Sequence, residues 1–181
     1  MKMAPHPAIA ADTVNHVGDA VAVVIAETQG QARDAAEKVS VDYQVLPSVT
    51  DPGKAKAGPQ IHEVAPKNTI YEWSLGDAKA VDAAFAAAKH VTKLDIVNNR
   101  LVPNAIEPRA ALAEYDAGTD QLTLWNTTQN PHVSRLVIAA FVGMAPEHKL
   151  RVIAPDVGGG FGSKLFIYPE EVVCLWAARL E

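Results

Sequence analysis

The sequence predicts a mixed α/β fold, and three observations carry that expectation. An apolar run, AVAVVIAET (20–28), precedes a helix-forming stretch, QGQARDAAEKV (29–39), and a β-branched alternation, SVDYQVLP (40–47). The final third repeats the strand, helix, strand order in QLTLWNTT (121–128), NPHVSRLVIAAFVG (130–143) and HKLRVIAPDV (148–157). Between them, EPRAALAEYDAGTDQLTLWNTT (107–128) reads as two strands around an Ala-Gly-Thr-Asp turn, a hairpin.

The first three elements form a βαβ-like unit ending at Pro47. From Ser48 to Asn68 the chain is rich in proline, glycine and lysine and reads as a linker with few buried contacts. Asp77 is placed to cap an alanine-rich helix, AKAVDAAFAAAK (78–89), and HVTKLDIVNNRL (90–101) alternates as a strand would. A last helix is expected from Tyr168-Pro169-Glu170-Glu171, where acidic residues complement the helix dipole, to the end of the chain at Glu181. Neither terminus carries a stop signal of its own, so a fragment of a longer chain is expected.

Composition bounds the function. With 49% apolar and 20% charged residues among 181, the chain has the make-up of a globular domain, and no apolar run reaches bilayer length. The net charge of −5 is spread without a basic stripe, which argues against nucleic acid as a partner. A single cysteine, Cys174, offers neither an internal disulfide nor a thiolate cage, and a cytoplasmic location is the default expectation. Cys174 sits beside Trp176 in an apolar helix and reads as a structural thiol. The six histidines, His6, His16, His62, His90, His132 and His148, show no metal-ligand spacing.

The chemistry concentrates in APDVGGGFGSKLF (154–166). Glycine is spent where φ must be positive or where something approaches the main chain closely. If the two strands of the final third are parallel neighbours, TTQNP around Gln129 and GGGFGSK around Phe161 leave the sheet at one carboxyl edge and converge. Bare amides beside a helix N-terminus there suit an anionic ligand. A tight connection with Phe161 filling an apolar gap is the competing reading, and Gln129 taken alone is as readily a capping residue. The loop is neither a Walker motif, since Ser163 precedes Lys164, nor a dinucleotide fingerprint, since Ser163 and Leu165 stand where glycine is required. Glu107-Pro108-Arg109 reads as structural.

Four ordered motifs, VGDAVAVVIAETQGQARDAAEKVSVDYQVLPSVTDP, EPRAALAEYD, TTQNPH and VGGGFGSK, closely resemble the molybdenum-binding large subunit of the xanthine dehydrogenase and aldehyde oxidase family. GGGFGSKLFIYPEEVVCLWAAR is most similar to its carbon monoxide dehydrogenase-like branch. The resemblance implies the C-terminal part of an α/β hammerhead domain (1–58), a linker (59–75) and the first portion of a molybdopterin-binding domain (76–181). It implies molybdopterin, in the cytosine dinucleotide form, with molybdenum as cofactor, and iron–sulfur and FAD-bearing partner subunits. The implied reaction is oxidative hydroxylation of a small molecule: an aldehyde, an N-heterocycle or carbon monoxide. Gln129 matches the glutamine beside the metal; Gly159, Gly160, Phe161 and Gly162 match the loop packed against the cofactor, with Phe161 near the metal and the amides of Gly160 to Gly162 facing it. Leu165 stands where purine-oxidising members carry glutamate, which disfavours xanthine. The family's catalytic glutamate and cysteine loop lie beyond Glu181, so no catalytic residue is assigned and the chain is expected to be inactive alone. A non-catalytic α/β module that binds a partner or nucleotide through its glycine-rich loop is the alternative.

Overall fold

A strand exists only where backbone groups find a partner, and in the computed structural model, which describes residues 1–180, they do so in one place. Strands β1 (Ala111–Asp116), β2 (Gln121–Asn126) and β3 (Leu150–Ile153) form a sheet in that order. β1 pairs antiparallel with β2, with Asp116 opposite Gln121, so the expected hairpin is present. Its turn is built by Asp116: Oδ1 accepts from the Gly118 amide at 2.9 Å and Oδ2 from the Thr119 hydroxyl at 2.7 Å. Asp120 takes φ 55°, a left-handed conformation that aspartate tolerates.

β2 and β3 are parallel, Leu122 opposite Leu150 through Trp125 opposite Ile153, as the strand, helix, strand order predicts. The crossover begins as helix α3 (Pro131–Val137), with Pro131 at its first turn, and widens at its exit into a π-helical turn, Ile138–Val142. Gly143 ends it at φ 72°. Helix α4 (Pro169–Ala178) closes the layer, packing on β1 and β2, while α3 packs on β3. The helical pattern expected to run through Glu181 stops at Ala178 with Arg179 as C-cap, and Glu181 lies outside the described residues.

Alternation along β2 makes the core. Leu122 and Leu124 point to the helix-covered face and meet Ile138, Leu150 and Leu175, each 3% exposed or less. Burial of such side chains contributes about 1.5–3 kcal/mol apiece.

The described residues divide into two compact units, one of Met1–Pro5 with Gln44–Leu101 and one of His6–Tyr43 with Val102–Glu181. The second contains the sheet and also α1 (Gln29–Ala36), whose capping box is complete. Thr28 Oγ1 accepts from the Gln31 amide at 3.3 Å, and Gln31 Oε1 accepts from the Thr28 amide at 3.0 Å. The first contains α2 (Ala78–Ala87), capped by Asp77 as expected, with Oδ1 accepting from Lys79 and Ala80 amides at 2.9 and 3.1 Å. No residue of α2 is buried; Phe85 is 61% exposed.

One sequence expectation fails. The segments 20–28, 40–47 and 90–101 form no strands. Their apolar, β-branched composition favours a pleated surface, but no other segment among the described residues forms a ladder with them, and Ile25, Val45 and Ile96 are exposed. The stretch 48–68 is largely exposed, as expected, but locally ordered. It forms short 3-10 turns at Pro52–Ala57 and Pro66–Asn68 around the Asn68 carboxamide. Nδ2 of Asn68 donates to the carbonyls of Ala55 and Pro59, both at 2.8 Å, and Oδ1 accepts from the Ile61 amide at 2.9 Å, beside a buried Ala65. Among the described residues no helix is long and apolar enough to cross a membrane.

Because Leu124 is wholly enclosed, Leu124→Ala is expected to destabilise the sheet-bearing unit by about 2–5 kcal/mol, seen as a lower urea midpoint with an unchanged m-value.

Candidate functional site

Parallel pairing sends the chain out of β2 and β3 at the same edge, and there the two predicted loops meet. The Gln129 amide donates to the Lys164 carbonyl at 2.9 Å. Its side-chain oxygen Oε1 accepts from the Gly162 amide at 2.9 Å and lies 3.4 Å from the Lys164 amide. Thr128 Oγ1 joins the same carbonyl of Lys164 at 3.3 Å and lies 3.2 Å from Ser134 Oγ. Tyr168 O–H donates to the Ser163 carbonyl, which fixes the far end of the loop. The glutamine and phenylalanine turns are therefore side by side, as expected.

The glycines divide by cause. Gly158 and Gly160 are needed because other chain segments come too close for a side chain. A Cβ on Gly158 would stand 2.6 Å from Glu107 Cβ, and one on Gly160 would stand 2.6 Å from Gln129 Cγ. Gly159 and Gly162 are needed for φ of 99° and 86°, and Phe161 itself adopts φ 51°. This corrects the sequence reading in two respects. The crowding at 158 and 160 comes from the protein's own residues, Glu107 and Gln129. The amides of Gly159 and Gly162 are already committed, to the Val157 carbonyl at 2.9 Å and to Gln129 Oε1. Among the described residues the amides of Gly160 and Phe161, and Gln129 Nε2, have no acceptor. The Phe161 ring is 73% exposed, so it does not plug a gap in the core.

A charged pair missed by sequence reasoning supports this edge. Lys164 is 2% exposed, and its Nζ donates to the Glu107 carbonyl at 2.8 Å and to Glu107 Oε2 at 2.9 Å. The same carboxylate accepts from the Gly158 amide at 2.8 Å. The Lys164 ammonium, then the Gly158 N–H, hold the Glu107 carboxyl below its ordinary pKa. Arg109 pairs with Glu170 at 2.8 Å and stacks 3.8 Å over the Tyr168 ring. Glu107-Pro108-Arg109 is thus structural, as read, but it is the brace of the glycine loop. A lysine directly after a glycine-rich loop was the available signal.

Behind the edge lie Asn126, Glu171 and Cys174. Burial pushes the Glu171 carboxyl up, offset in part by the Asn126 amide and the Tyr168 N–H, although the Asn126 contact falls short of full hydrogen-bond geometry. Burial, then the charges of Glu170 and Glu171, raise the Cys174 thiol pKa, which disfavours the thiolate and fits the structural role expected of it.

The fold and this edge define a class: an α/β domain in which the loops after two parallel strands meet and leave main-chain and carboxamide N–H groups without acceptors. A molybdopterin cofactor-binding domain description matches residues 61–180, and an aldehyde oxidase and xanthine dehydrogenase a/b hammerhead description matches residues 1–47. The chain belongs to the xanthine dehydrogenase and aldehyde oxidase family. It is 40% identical over 172 residues to the carbon monoxide dehydrogenase large chain of Afipia carboxidovorans, covering 87% of this chain and 21% of that one. It is 36% identical over 176 residues to the nicotine 6-hydroxylase large subunit of Paenarthrobacter nicotinovorans, covering 96% and 21%. The solved Cu,Mo-CO dehydrogenase in its carbon monoxide reduced state superposes with a TM-score of 0.75 at 37% identity, over 84% of this chain and 21% of that one. The chain spans about a fifth of the length of these relatives.

Gly160→Ala is expected to push the Gln129 carboxamide off the loop, exposing the Gly162 amide to faster hydrogen exchange at a cost of about 1 kcal/mol; unchanged exchange at Gly162 would show that the close approach is not needed. A second outcome concerns pH. Since the folded pKa of Glu107 is depressed, its contribution is complete above the unfolded carboxylate value of about 4.3 and is lost as pH falls through the lower folded value. Lys164→Met should therefore lower stability at pH 7, with a gap to the parent that narrows in acid, as read from urea midpoints at pH 7 and pH 3. An equal gap at both would refute the linkage.

Proposed function

We propose that this chain is part of the catalytic molybdenum subunit of a molybdenum hydroxylase, and that Gln129, Gly159, Gly160, Phe161 and Gly162 border its molybdopterin. The observation that carries the reading is the division of labour at Gln129. Oε1 is consumed in tying the loops together, which leaves Nε2 and the amides of Gly160 and Phe161 as uncommitted donors on one edge. Those donors suit an oxygen-rich, anionic group such as an oxo ligand or a pterin phosphate, so the residues fit the cofactor. When bound, the molybdenum cofactor supplies the two-electron oxidative hydroxylation itself.

The chain's own residues would hold and shield that group. Gln129 would donate through Nε2, without bringing a charge to the site. Gly160 and Phe161 would donate through the main chain, and Gly159 and Gly162 would set the loop's path by their positive φ. The exposed Phe161 ring would cover the apolar side of the site and exclude water from it. Lys164, locked on Glu107, would hold the loop without contributing its charge to the ligand.

The finer reading follows the family. The cofactor would be the cytosine dinucleotide form, the substrate an aldehyde, an N-heterocycle or carbon monoxide, and the partners iron–sulfur and flavin subunits. Carbon monoxide dehydrogenase and nicotine 6-hydroxylase large chains among the relatives support that range. Residues 1–58 would belong to the hammerhead domain and 76–181 to the molybdopterin domain, joined by 59–75.

Gln129→Glu separates the donor from the tie, because a carboxylate can still accept from Gly162 but has no Nε2. In the full-length parent subunit this variant should keep its circular dichroism and lose about tenfold or more in turnover or in molybdenum content. Unchanged turnover and unchanged molybdenum would overturn the assignment of Gln129.

A further inference from the structure

Histidine spacing along the chain predicts no metal site, yet the fold brings His6 and His16 to the same carboxylate. His16 Nε2 is 3.1 Å and His6 Nδ1 4.0 Å from Asp19 Oδ1, with the two rings 5.6 Å apart at 38°. These three donor atoms all lie within 4.8 Å of one another. Both histidine side chains are more than half exposed, whereas Asp19 is 11% exposed.

The local backbone explains the meeting. Gly18, at φ 103°, turns the chain so that Asp19 folds back on its own N-terminal side. Asp19 Oδ2 then accepts from the Asn15 amide at 2.7 Å and the His16 amide at 3.2 Å. The Ala10 amide donates to the Ala20 carbonyl at 2.8 Å, which lays the segment bearing His6 alongside. One carboxylate oxygen is thus spent on the turn, and the other is presented to both imidazoles.

The hydrogen bonding around His16 makes this more than a polar cluster. His16 Nδ1 lies 3.2 Å from the Val17 carbonyl, and either ring nitrogen can carry the proton. With the proton on Nδ1, Nε2 is the ligand atom, 3.1 Å from a carboxylate oxygen. Imidazole held through its far nitrogen by a carbonyl is the arrangement that orients a metal-binding histidine. Bonds of about 2.0–2.2 Å to nitrogen and oxygen place tetrahedral ligand atoms roughly 3.2–3.6 Å apart. The His16 contact is already close to that spacing, and the exposed His6 Nδ1, at 4.0 Å, stands a little beyond it.

We propose that His6, His16 and Asp19 form a binding site for a divalent cation of the zinc class, completed by water. Two imidazoles and one carboxylate suit zinc, nickel or cobalt and not a hard cation such as magnesium. This inference is independent of the molybdopterin reading, and neither depends on the other's test.

Titration calorimetry of the chelator-stripped 181-residue chain with zinc chloride tests it. A single equivalent should bind with roughly micromolar affinity, and His6→Gln, His16→Gln and Asp19→Asn should each weaken it about tenfold or more. Asp19→Asn keeps a side-chain oxygen for the Asn15 and His16 amides, so the turn survives. His90→Gln should leave binding unchanged. Cobalt added to the unaltered chain should shift the ring-proton NMR signals of His6 and His16, a readout that needs no variant. No zinc binding, binding indifferent to all three substitutions, or cobalt shifts confined to other histidines would each overturn the site and leave a histidine–aspartate hydrogen bond in its place.

Discussion

The Gln129 carboxamide oxygen is the constraint on which the candidate site rests. By accepting from Gly162 and approaching the Lys164 amide, it joins a loop that follows β2 to one that follows β3, 33 and 35 residues later in the chain. Such a contact requires that both loops leave the sheet at one edge, which parallel pairing of β2 and β3 provides. It also requires that no side chain stand at position 160, where the carboxamide passes. Sheet topology, loop composition and site geometry are thus one condition met at three levels. The donors left over, Nε2 and two amides, are free because the acceptor half of the carboxamide is occupied.

Charge braces this arrangement from beneath. A lysine with almost no exposure is costly unless its ammonium is hydrogen-bonded, and Lys164 finds both a carbonyl and a carboxylate on Glu107. The same carboxylate receives the Gly158 amide, so one acidic residue serves the two ends of the glycine run. Arg109, two positions on, holds Tyr168 and Glu170 at the entrance to α4. The segment ahead of β1 therefore acts as a strut for a loop some fifty residues further on, and its pairing explains why a glycine-rich loop can keep one shape.

What the sequence made legible were features whose cause is local or whose partner is near. The Asp77 cap, the hairpin around Ala-Gly-Thr-Asp and the β2, α3, β3 crossover all follow from residue type and order. The convergence of Gln129 with Phe161 followed from one topological premise, parallel neighbours, that proved correct. Features that depend on a distant partner were not legible. Residues 20–28 have the composition of a buried strand but no ladder partner among the described residues, and Asn68 organises three backbone groups that no composition rule anticipates. Glycine was read correctly as a mark of close approach, but the residues approaching Gly158 and Gly160 are Glu107 and Gln129, a distinction that needs coordinates. Lys164 gives no local sign of its burial, which depends on a carboxylate 57 residues away.

The end of β2 shows how the chain leaves the sheet at this edge. Asn126, Thr127 and Thr128 are three consecutive buried polar residues, followed at once by an exposed Gln129. Two of them are satisfied within the fold: Thr127 Oγ1 accepts from the Ala110 amide at 3.1 Å, and Thr128 Oγ1 serves Asn130 and Lys164. Their hydroxyls do the work of ladder bonds where the sheet ends, so the chain can turn sharply without orphaned amides. The Asn126 carboxamide is left without a full partner beside a carboxyl group whose ionisation burial opposes. A polar gradient of this kind weakens the core locally, at a cost that apolar residues would avoid. It is tolerable because the same residues carry the strand directly into the Gln129 turn, and an apolar end to β2 would offer the two loops nothing to hydrogen-bond to. The site is thus a continuation of the strand's own need for backbone partners, extended past the last residue of the sheet.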